Sequence, residues 1–221
     1  MSSLIVLEGI DGSGKGSQTK RLVDRLSAEG RSVRTMSFPR YTQNRFGEMI
    51  SRFLAGEFGE LDEVAAELAV LLFAGDRLES KPLLSTDDDS LLVLDRYVSS
   101  NMAHQAARVE GDRRAKLIEF ADWLEHDLYA LPRPELTVWL HVSPTVAKTN
   151  IERRAAETGR AIDIAEADIK HLTSSSAVYE QLSRSESWAT VRCDDGRTMR
   201  SFEAIESDVY AAVESRLLLG H

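Results

Sequence analysis

The sequence of 221 residues predicts an α/β fold, in which a doubly wound parallel β-sheet is flanked by helices. Three features favour this fold. Short apolar runs alternate with longer segments of helical periodicity along the chain. Residues 91–94 are apolar without interruption, which is typical of a parallel strand buried on both faces. The first apolar run, residues 4–7, leads through a glycine-rich turn into a helical pattern.

The predicted strands and helices alternate in chain order. Strands are expected at residues 4–7, 33–38, 91–94, 136–142 and 188–192. Helices are expected at residues 17–29, 44–84 with a turn at 56–59, 99–109, 113–129, 146–156, 166–184 and 202–218. An apolar stripe in the second of these consists of Leu61, Val64, Ala65, Leu68, Leu71 and Leu72. Such a stripe packs either into the core or against a second copy of the chain.

Composition narrows the classes of partner. The chain has 36 Asp and Glu residues against 27 Lys and Arg, a formal net charge of -9, which disfavours binding to nucleic acid. No apolar run approaches the roughly 18 residues of a membrane span, so no membrane partner is expected. The single cysteine, Cys193, cannot form a disulfide within the chain, which favours a reducing compartment, the cytoplasm. We expect one domain over residues 1–221.

Residues 8–22 read EGIDGSGKGSQTKRL and predict a phosphate-binding loop. Its glycines permit backbone conformations that turn successive N–H groups inward, and Lys15 adds a point charge. The helix that follows directs its positive end at the same place. The expected phosphate-binding residues are Gly9, Gly12, Ser13, Gly14, Lys15, Gly16 and Ser17.

Gly16 stands where the common pattern G-x-x-x-x-G-K-[ST] has a hydroxyl that holds Mg²⁺. The metal is therefore held through water, by Ser17, or mainly by nucleotide phosphates. The change weakens a GTPase interpretation, as does the absence of an N-K-x-D guanine-recognition sequence. The form G-K-G-S-Q resembles the loop of nucleoside monophosphate kinases such as adenylate kinase.

Three further segments narrow this resemblance: FPRYTQ at 38–43, LFAGDR at 72–77 and LDRYVSSNMAHQ at 94–105. With the loop, they resemble the thymidylate kinase family, particularly its bacterial members. The resemblance implies transfer of a phosphoryl group from ATP to dTMP, giving dTDP, with Mg²⁺ as cofactor and a homodimer as the assembly. The alternatives are a kinase for another pyrimidine nucleoside monophosphate and a nucleotide-binding module with weak catalysis.

The same resemblance implies roles on the acceptor side. Asp11 would bind the deoxyribose 3′-hydroxyl, and Arg96 would clamp the acceptor phosphate. Asp11 and Asp95 would hold Mg²⁺, in part through water. The implied dTMP-binding residues are Asp11, Phe38, Pro39, Arg40, Tyr41, Phe73, Arg77, Arg96, Ser100, Asn101, His104 and Asp163. By pattern alone, Phe73 is better interpreted as a core residue and Arg77 as a surface charge.

One position departs from the family pattern. The family commonly has tyrosine where this chain has His104, and that ring helps to exclude a ribose 2′-hydroxyl. Histidine is smaller and forms hydrogen bonds, so His104 either relaxes the preference for deoxyribose or serves as a packing residue.

Residues 153–163, RRAAETGRAID, form a polar, arginine-rich segment that we interpret as a mobile lid. Some family members carry a catalytic arginine inside the loop, where this chain has Gly12. The charge that stabilises phosphoryl transfer must then come from the lid, with Arg154 as a third candidate behind Arg153 and Arg160. The predicted catalytic residues are Lys15, Asp11, Arg96, Arg153 and Arg160.

Overall fold

The computed structural model describes residues 3–84 and 90–219, and its centre is a five-stranded parallel sheet of order β2-β3-β1-β4-β5. The strands are β1 Leu4–Glu8, β2 Val33–Ser37, β3 Leu91–Asp95, β4 Leu136–His141 and β5 Trp188–Arg192. Every neighbouring pair runs parallel, so the predicted sheet is confirmed.

Helices connect the strands. They are α1 Lys15–Ala28, α2 Arg45–Leu54, α3 Ala66–Glu79, α4 Lys81–Leu84, α5 Val98–Ala106, α6 Asp112–Asp122, α7 Pro144–Thr158, α8 Ile164–Ala167, α9 Ile169–Leu182 and α10 Phe202–Leu219. A π-helical segment, Trp123–Leu128, continues α6. Within the described ranges, no helix has the length and apolarity needed to cross a bilayer.

Side chains of β1 alternate between two hydrophobic cores. Ile5 and Leu7 belong to one core, together with Leu22 of α1 and residues of α9 and α10. Leu4 and Val6 belong to a second core, with residues of α3 and α6. Because successive strand residues point to opposite faces, helices cover the sheet on both sides. The doubly wound architecture is therefore confirmed.

The predicted apolar stripe does not form one buried helical face. Helix α3 begins at Ala66, after the first three residues of the stripe, and Leu68 and Leu71 are exposed. The buried face instead carries small residues such as Ala74 and Gly75. A Cβ atom on Gly75 would lie 2.4 Å from ring carbons of Phe46 in α2, so the close approach of the two helices selects small side chains.

Two other helical predictions differ in detail. Residues 166–184 form two helices, because Asp168 has an extended ψ of 103° and caps the second helix, accepting a hydrogen bond from the Lys170 N–H (2.8 Å). Of the predicted lid, residues 153–158 are the last turns of α7, which ends at Gly159 with φ of 68°. Only residues 159–163 form a loop.

The pairing of β1 with β3 brings together the segments that follow these two strands. Leu7 of β1 pairs with Asp95 of β3, and the backbone N–H of Arg96 donates to the Leu7 carbonyl (3.0 Å). The glycine-rich loop and the Asp95–Arg96 pair therefore meet at the carboxyl edge of the sheet, where ligands of open α/β sheets bind.

Candidate active site

The glycine-rich loop packs closely on α7. Gly12 has φ of 79°, and a Cβ atom there would lie 2.3 Å from the Ala147 carbonyl oxygen. Asn150 of α7 also donates a hydrogen bond to the Gly12 carbonyl (2.9 Å). A side chain at this position would therefore require the loop to move away from α7.

Lys15 is buried at the base of the loop. Its ammonium donates to the carbonyl oxygens of Gly9 (2.8 Å) and Ile10 (2.9 Å). Burial lowers the pKa of Lys15 to about 8, with repulsion from Arg96 adding to the shift and nearby carboxylates opposing it. The charge is therefore held inside the loop and has little solvent around it.

Gly16 lies opposite Asp95. A Cβ atom on Gly16 would lie 3.4 Å from Asp95 Oδ2, and Asp95 Oδ1 is buried without a hydrogen-bond partner. Ser17, the alternative hydroxyl, is exposed on α1. Among the described residues, no three acidic, histidine or cysteine side chains cluster as a metal site. A cation at this place would therefore depend on ligands from outside the protein.

Arg96 and Asp11 form an ion pair beside the loop. Arg96 has φ of 68°, and its guanidinium also lies 3.1 Å from both Ser100 Oγ and His104 Nε2. Burial alone would raise the pKa of Asp11, but the charges of Arg96 and Lys15 hold that pKa far below its usual range. Asp11 is thus held in its charged form next to the Arg96 guanidinium.

Glu8 is a buried residue that sequence reasoning missed. Its carboxylate accepts hydrogen bonds from the N–H groups of Tyr97 (2.9 Å) and Ser100 (3.0 Å), from Ser100 Oγ (2.6 Å) and from the Tyr179 hydroxyl (2.8 Å). It therefore caps the N-terminus of α5 from the end of the neighbouring strand β1, and it shares Ser100 Oγ with Arg96. A carboxylate at the end of an apolar strand was the signal available in the sequence.

A cavity of about 330 Å³ opens beside Arg96 and Asp11. The predicted site residues that line it are Asp11, Phe38, Pro39, Tyr41, Phe73, Arg77, Arg96, Ser100, Asn101, His104, Arg160 and Asp163. Lining residues that were not among the predicted site include Phe53, Leu61, Gln105, Arg108, Arg154, Glu166 and His171. Most of the predicted acceptor site is therefore brought together in one place.

Arg77 is a buried cavity residue. Its guanidinium binds both carboxylate oxygens of Glu125, one at 2.8 Å, and Glu125 lies in the π-helical segment. The Asn101 amide donates to the same carboxylate (2.9 Å) and to the Val70 carbonyl (3.0 Å). Asn101 Oδ1 is buried with no hydrogen-bond partner. Asn101 itself lines the cavity, and its amide oxygen is an acceptor that the described residues do not satisfy.

The lid arginines fall into two groups. Arg154 and Arg160 line the cavity, and both pair with Glu166, with Arg160 at 2.7 Å from Glu166 Oε1. Arg153 is exposed and lies outside the cavity lining. Arg40, one of the implied dTMP-binding residues, also lies outside that lining.

The Arg40 guanidinium turns towards Gln43 (2.9 Å) and Ser80 (3.4 Å). The backbone N–H of Arg40 donates to Asp76 (3.0 Å). These contacts orient the segment that contains Pro39 and Tyr41, both of which line the cavity.

Asp163 caps α8 at the edge of the cavity. Its carboxylate accepts hydrogen bonds from the N–H groups of Ala165 (3.0 Å) and Glu166 (2.8 Å). Burial raises the pKa of Asp163 to about 6, and the nearby charge of Asp11 adds to this shift. The predicted lid thus contributes a carboxyl group whose pKa lies above that of an ordinary aspartate.

The thymidylate kinase family model matches residues 7–198. This chain belongs to the thymidylate kinase family. It is 35% identical over 182 residues to the thymidylate kinase of Mycobacterium tuberculosis, covering 81% of this chain and 85% of that protein. It is 28% identical over 221 residues to a probable thymidylate kinase of Pyrococcus horikoshii, with 97% of each chain covered.

Its fold is similar to the solved structure of thymidylate kinase from Candida albicans. The TM-score is 0.73 at 20% identity, covering 98% of this chain and 92% of that one. Membership of the thymidylate kinase family, inferred above from four short motifs, is thus confirmed. The matched range includes the loop, the cavity and the lid of this thymidylate kinase family member.

Proposed function

We propose that this protein catalyses transfer of a phosphoryl group from ATP to dTMP, giving dTDP and ADP. The observation that carries the proposal is the cavity that joins the Arg96–Asp11 pair to a wall containing Asn101 and Phe73. A nucleoside monophosphate needs both parts, a cation for its phosphate and a flat pocket with oriented polar groups for its base.

The unpaired acceptor in the cavity favours thymine or uracil over cytosine as the base. Thymine and uracil carry an N–H group at N3, whereas cytosine has a lone pair there. Asn101 Oδ1 is a buried acceptor whose orientation is fixed by the two hydrogen bonds of its amide nitrogen. It would accept a hydrogen bond from the N3–H group of the base. Phe73 would cover one face of the base, and Arg77 would lie near one of its carbonyl groups. A cytosine base would leave the amide oxygen unpaired.

The glycine-rich loop is the proposed ATP phosphate site. In the structure, Lys15 binds the loop's own carbonyl oxygens. Phosphate oxygens of ATP are charged acceptors, so they would compete for the ammonium and for the α1 N-terminus. The reaction then proceeds by direct transfer between two bound nucleotides, with catalysis by positioning and charge.

Mg²⁺ fits this arrangement. Asp95 Oδ1 is a buried oxygen without a partner, and Gly16 leaves space in front of the same carboxylate. Asp95 would hold the ion through water, with the remaining ligands from ATP phosphates. Asp11 is a second candidate, although its carboxylate is paired with Arg96. When bound, Mg²⁺ would neutralise charge on the transferring phosphoryl group.

The test is steady-state ADP formation from Mg²⁺-ATP with dTMP, dUMP, UMP, dCMP and AMP as acceptors. We expect the highest kcat/KM for dTMP and the lowest among the pyrimidines for dCMP. Equal turnover of UMP or dUMP would instead support a broader pyrimidine kinase, the alternative that His104 suggests. Lys15→Met should lower kcat at least about 100-fold, and an unchanged rate would support a binding module.

We also propose a homodimer in the cytoplasm. Support for the dimer comes from Leu68, Leu71 and Leu78, which are spaced along α3 and 60%, 40% and 38% exposed. Contiguous exposed apolar side chains commonly mark protein interfaces. Light scattering should give twice the monomer mass, and Leu68→Glu should give the monomer. Support for the cytoplasm comes from the buried free thiol of Cys193, which suits a reducing compartment.

A further inference from the structure

His171 lies where the helix after the lid meets the cavity, and none of the proposed steps uses it. It is in the first turn of α9, is 6% exposed and lines the cavity. Its Nε2 atom is 3.2 Å from His104 Nδ1, and the two ring centroids are 5.4 Å apart. The opposite ring nitrogen of His104, Nε2, is 3.1 Å from a terminal nitrogen of Arg96. The two histidines thus continue a line of polar contacts that begins at Arg96.

The chemistry of Arg96 fixes the direction of these hydrogen bonds. A guanidinium has only donors, so His104 Nε2 must accept and carries no proton. A neutral imidazole then carries its proton on Nδ1, which donates to His171 Nε2. Burial keeps both rings neutral, lowering the pKa of His171 to about 4 and that of His104 well below its usual value. The direction therefore runs from Arg96 through His104 to His171.

We propose that His171 is a positioning residue for the acceptor phosphate, acting through His104 on Arg96. By accepting from His104 Nδ1, it keeps the His104 lone pair turned towards the guanidinium. The same guanidinium also contacts Asp11, Ser100 Oγ and the Gly9 carbonyl, so His104 supplies one of several restraints on its plane. Arg96 is then oriented before dTMP arrives, which lowers the entropic cost of binding the phosphate. This inference rests on the proposed function.

The test compares two substitutions of His171. His171→Leu removes the acceptor and leaves a buried donor unpaired, so we expect the KM for dTMP to rise about tenfold. The KM for ATP should stay unchanged, because ATP binds at the loop. His171→Gln supplies a carbonyl oxygen and should recover most of the loss. If the Leu and Gln variants are equally impaired, or if both match the parent, the proposal is wrong.

Ser175 provides a matched control on the same face of α9. Its hydroxyl lies 3.5 Å from His171 Nε2 and is fully buried. Ser175→Ala therefore removes a neighbour of the same ring nitrogen but leaves the contact with His104. We expect an unchanged KM for dTMP, whereas a rise as large as that of His171→Leu would assign the effect to packing of α9.

A double-mutant cycle separates positioning from a general structural role. If His171 acts only through His104, then His171→Leu should change nothing further in a His104→Leu background. Multiplicative effects on KM would overturn the proposal. Nitrogen NMR of the histidine rings should show His104 protonated at Nδ1 and bare at Nε2, and the reverse would also overturn it. This readout needs no turnover, so it remains valid even if dTMP is not the acceptor.

Discussion

Gly12 allows the phosphate-binding loop to pack directly against α7 because it has no side chain. We expect Gly12→Ala to push the loop away from α7, since its Cβ atom would lie 2.3 Å from a backbone oxygen of Ala147. A misplacement of about 1 Å costs on the order of 100-fold in rate, so kcat should fall by at least that factor. Steady-state ADP formation measures the change.

Gly30 is the matched control for this substitution. Its φ is 83°, close to that of Gly12, but a Cβ atom there would meet nothing within 4 Å. Gly30→Ala carries only the cost of a left-handed backbone, about 1–2 kcal/mol in unfolding free energy, and should leave kcat unchanged. Equal loss of activity in both variants would show that backbone strain, and not contact with α7, explains the effect.

Asp163 makes stability depend on pH in a direction unusual for a carboxylate. Its pKa rises from 3.8 to about 6 on folding because burial penalises the charge. The folded state then binds more protons than the unfolded state between these values, so the free energy of unfolding falls as pH rises from about 4 to about 6. Asn at this position can still cap α8 but has no charge. We expect Asp163→Asn to be more stable than the parent at pH about 8 and equal to it below pH about 4.

Urea unfolding of both proteins across this pH range measures the difference. Histidines also titrate in the window, but they are common to the two proteins and cancel in the comparison. A variant less stable than the parent at every pH would mean that the charged cap on Ala165 and Glu166 outweighs the cost of burial.

At the scale of elements, the buried pair of Arg77 and Glu125 joins α3 to the π-helical segment, with exposures of 1% and 0%. Removing one partner leaves an uncompensated buried charge, so Glu125→Leu should cost about 3–5 kcal/mol of unfolding free energy. The double variant Arg77→Met with Glu125→Leu should regain part of this loss. The exposed pair of Arg133 and Asp122 is the control, where Arg133→Ala should cost under about 1 kcal/mol. Urea unfolding that gives similar losses for both pairs would contradict this.

The positions of the lid arginines predict which of them contributes to catalysis. Arg160 lines the cavity and is held by Glu166, so its guanidinium already lies beside the acceptor site. Arg160→Ala should lower kcat about 1,000-fold, in the range measured for catalytic arginines. Arg153→Ala provides the comparison, because Arg153 is exposed outside the cavity. A larger loss of kcat for Arg153→Ala would instead assign the catalytic role to Arg153, the other lid arginine predicted to be catalytic.

The strands could be predicted from the sequence, whereas the packing of α3 and the long-range ion pair could not. All five strands were found because buried parallel strands are short apolar runs, a pattern that needs no partner to be recognised. The apolar face of α3 was misjudged because close packing against Phe46 selects small residues that the pattern does not weigh. Glu125 was missed because its partner, Arg77, lies 48 residues away in sequence. Long-range pairs of this kind become visible only after folding.

At the scale of the whole molecule, residues from both halves of the sequence line the acceptor cavity. Phe38, Arg77 and Asn101 come from the first half, and Arg160 and His171 come from the second. A ligand in this cavity therefore contacts segments that would separate if the chain folded as independent parts. The prediction that residues 1–221 form a single domain can therefore be tested by asking whether a ligand stabilises the whole chain in one transition.

Calorimetry with dTMP is the measurement. A ligand present at 100 times its Kd should raise the free energy of unfolding by about 2.7 kcal/mol, and it should do so for one cooperative transition. AMP at the same concentration is the control and should shift the transition less, because adenine offers no N–H group between two carbonyls to Asn101. Two transitions, of which dTMP shifted only one, would show that the lid and the following helices unfold separately from the loop and the sheet. The cavity would then assemble at the boundary between two domains, and binding of dTMP would include the cost of docking them.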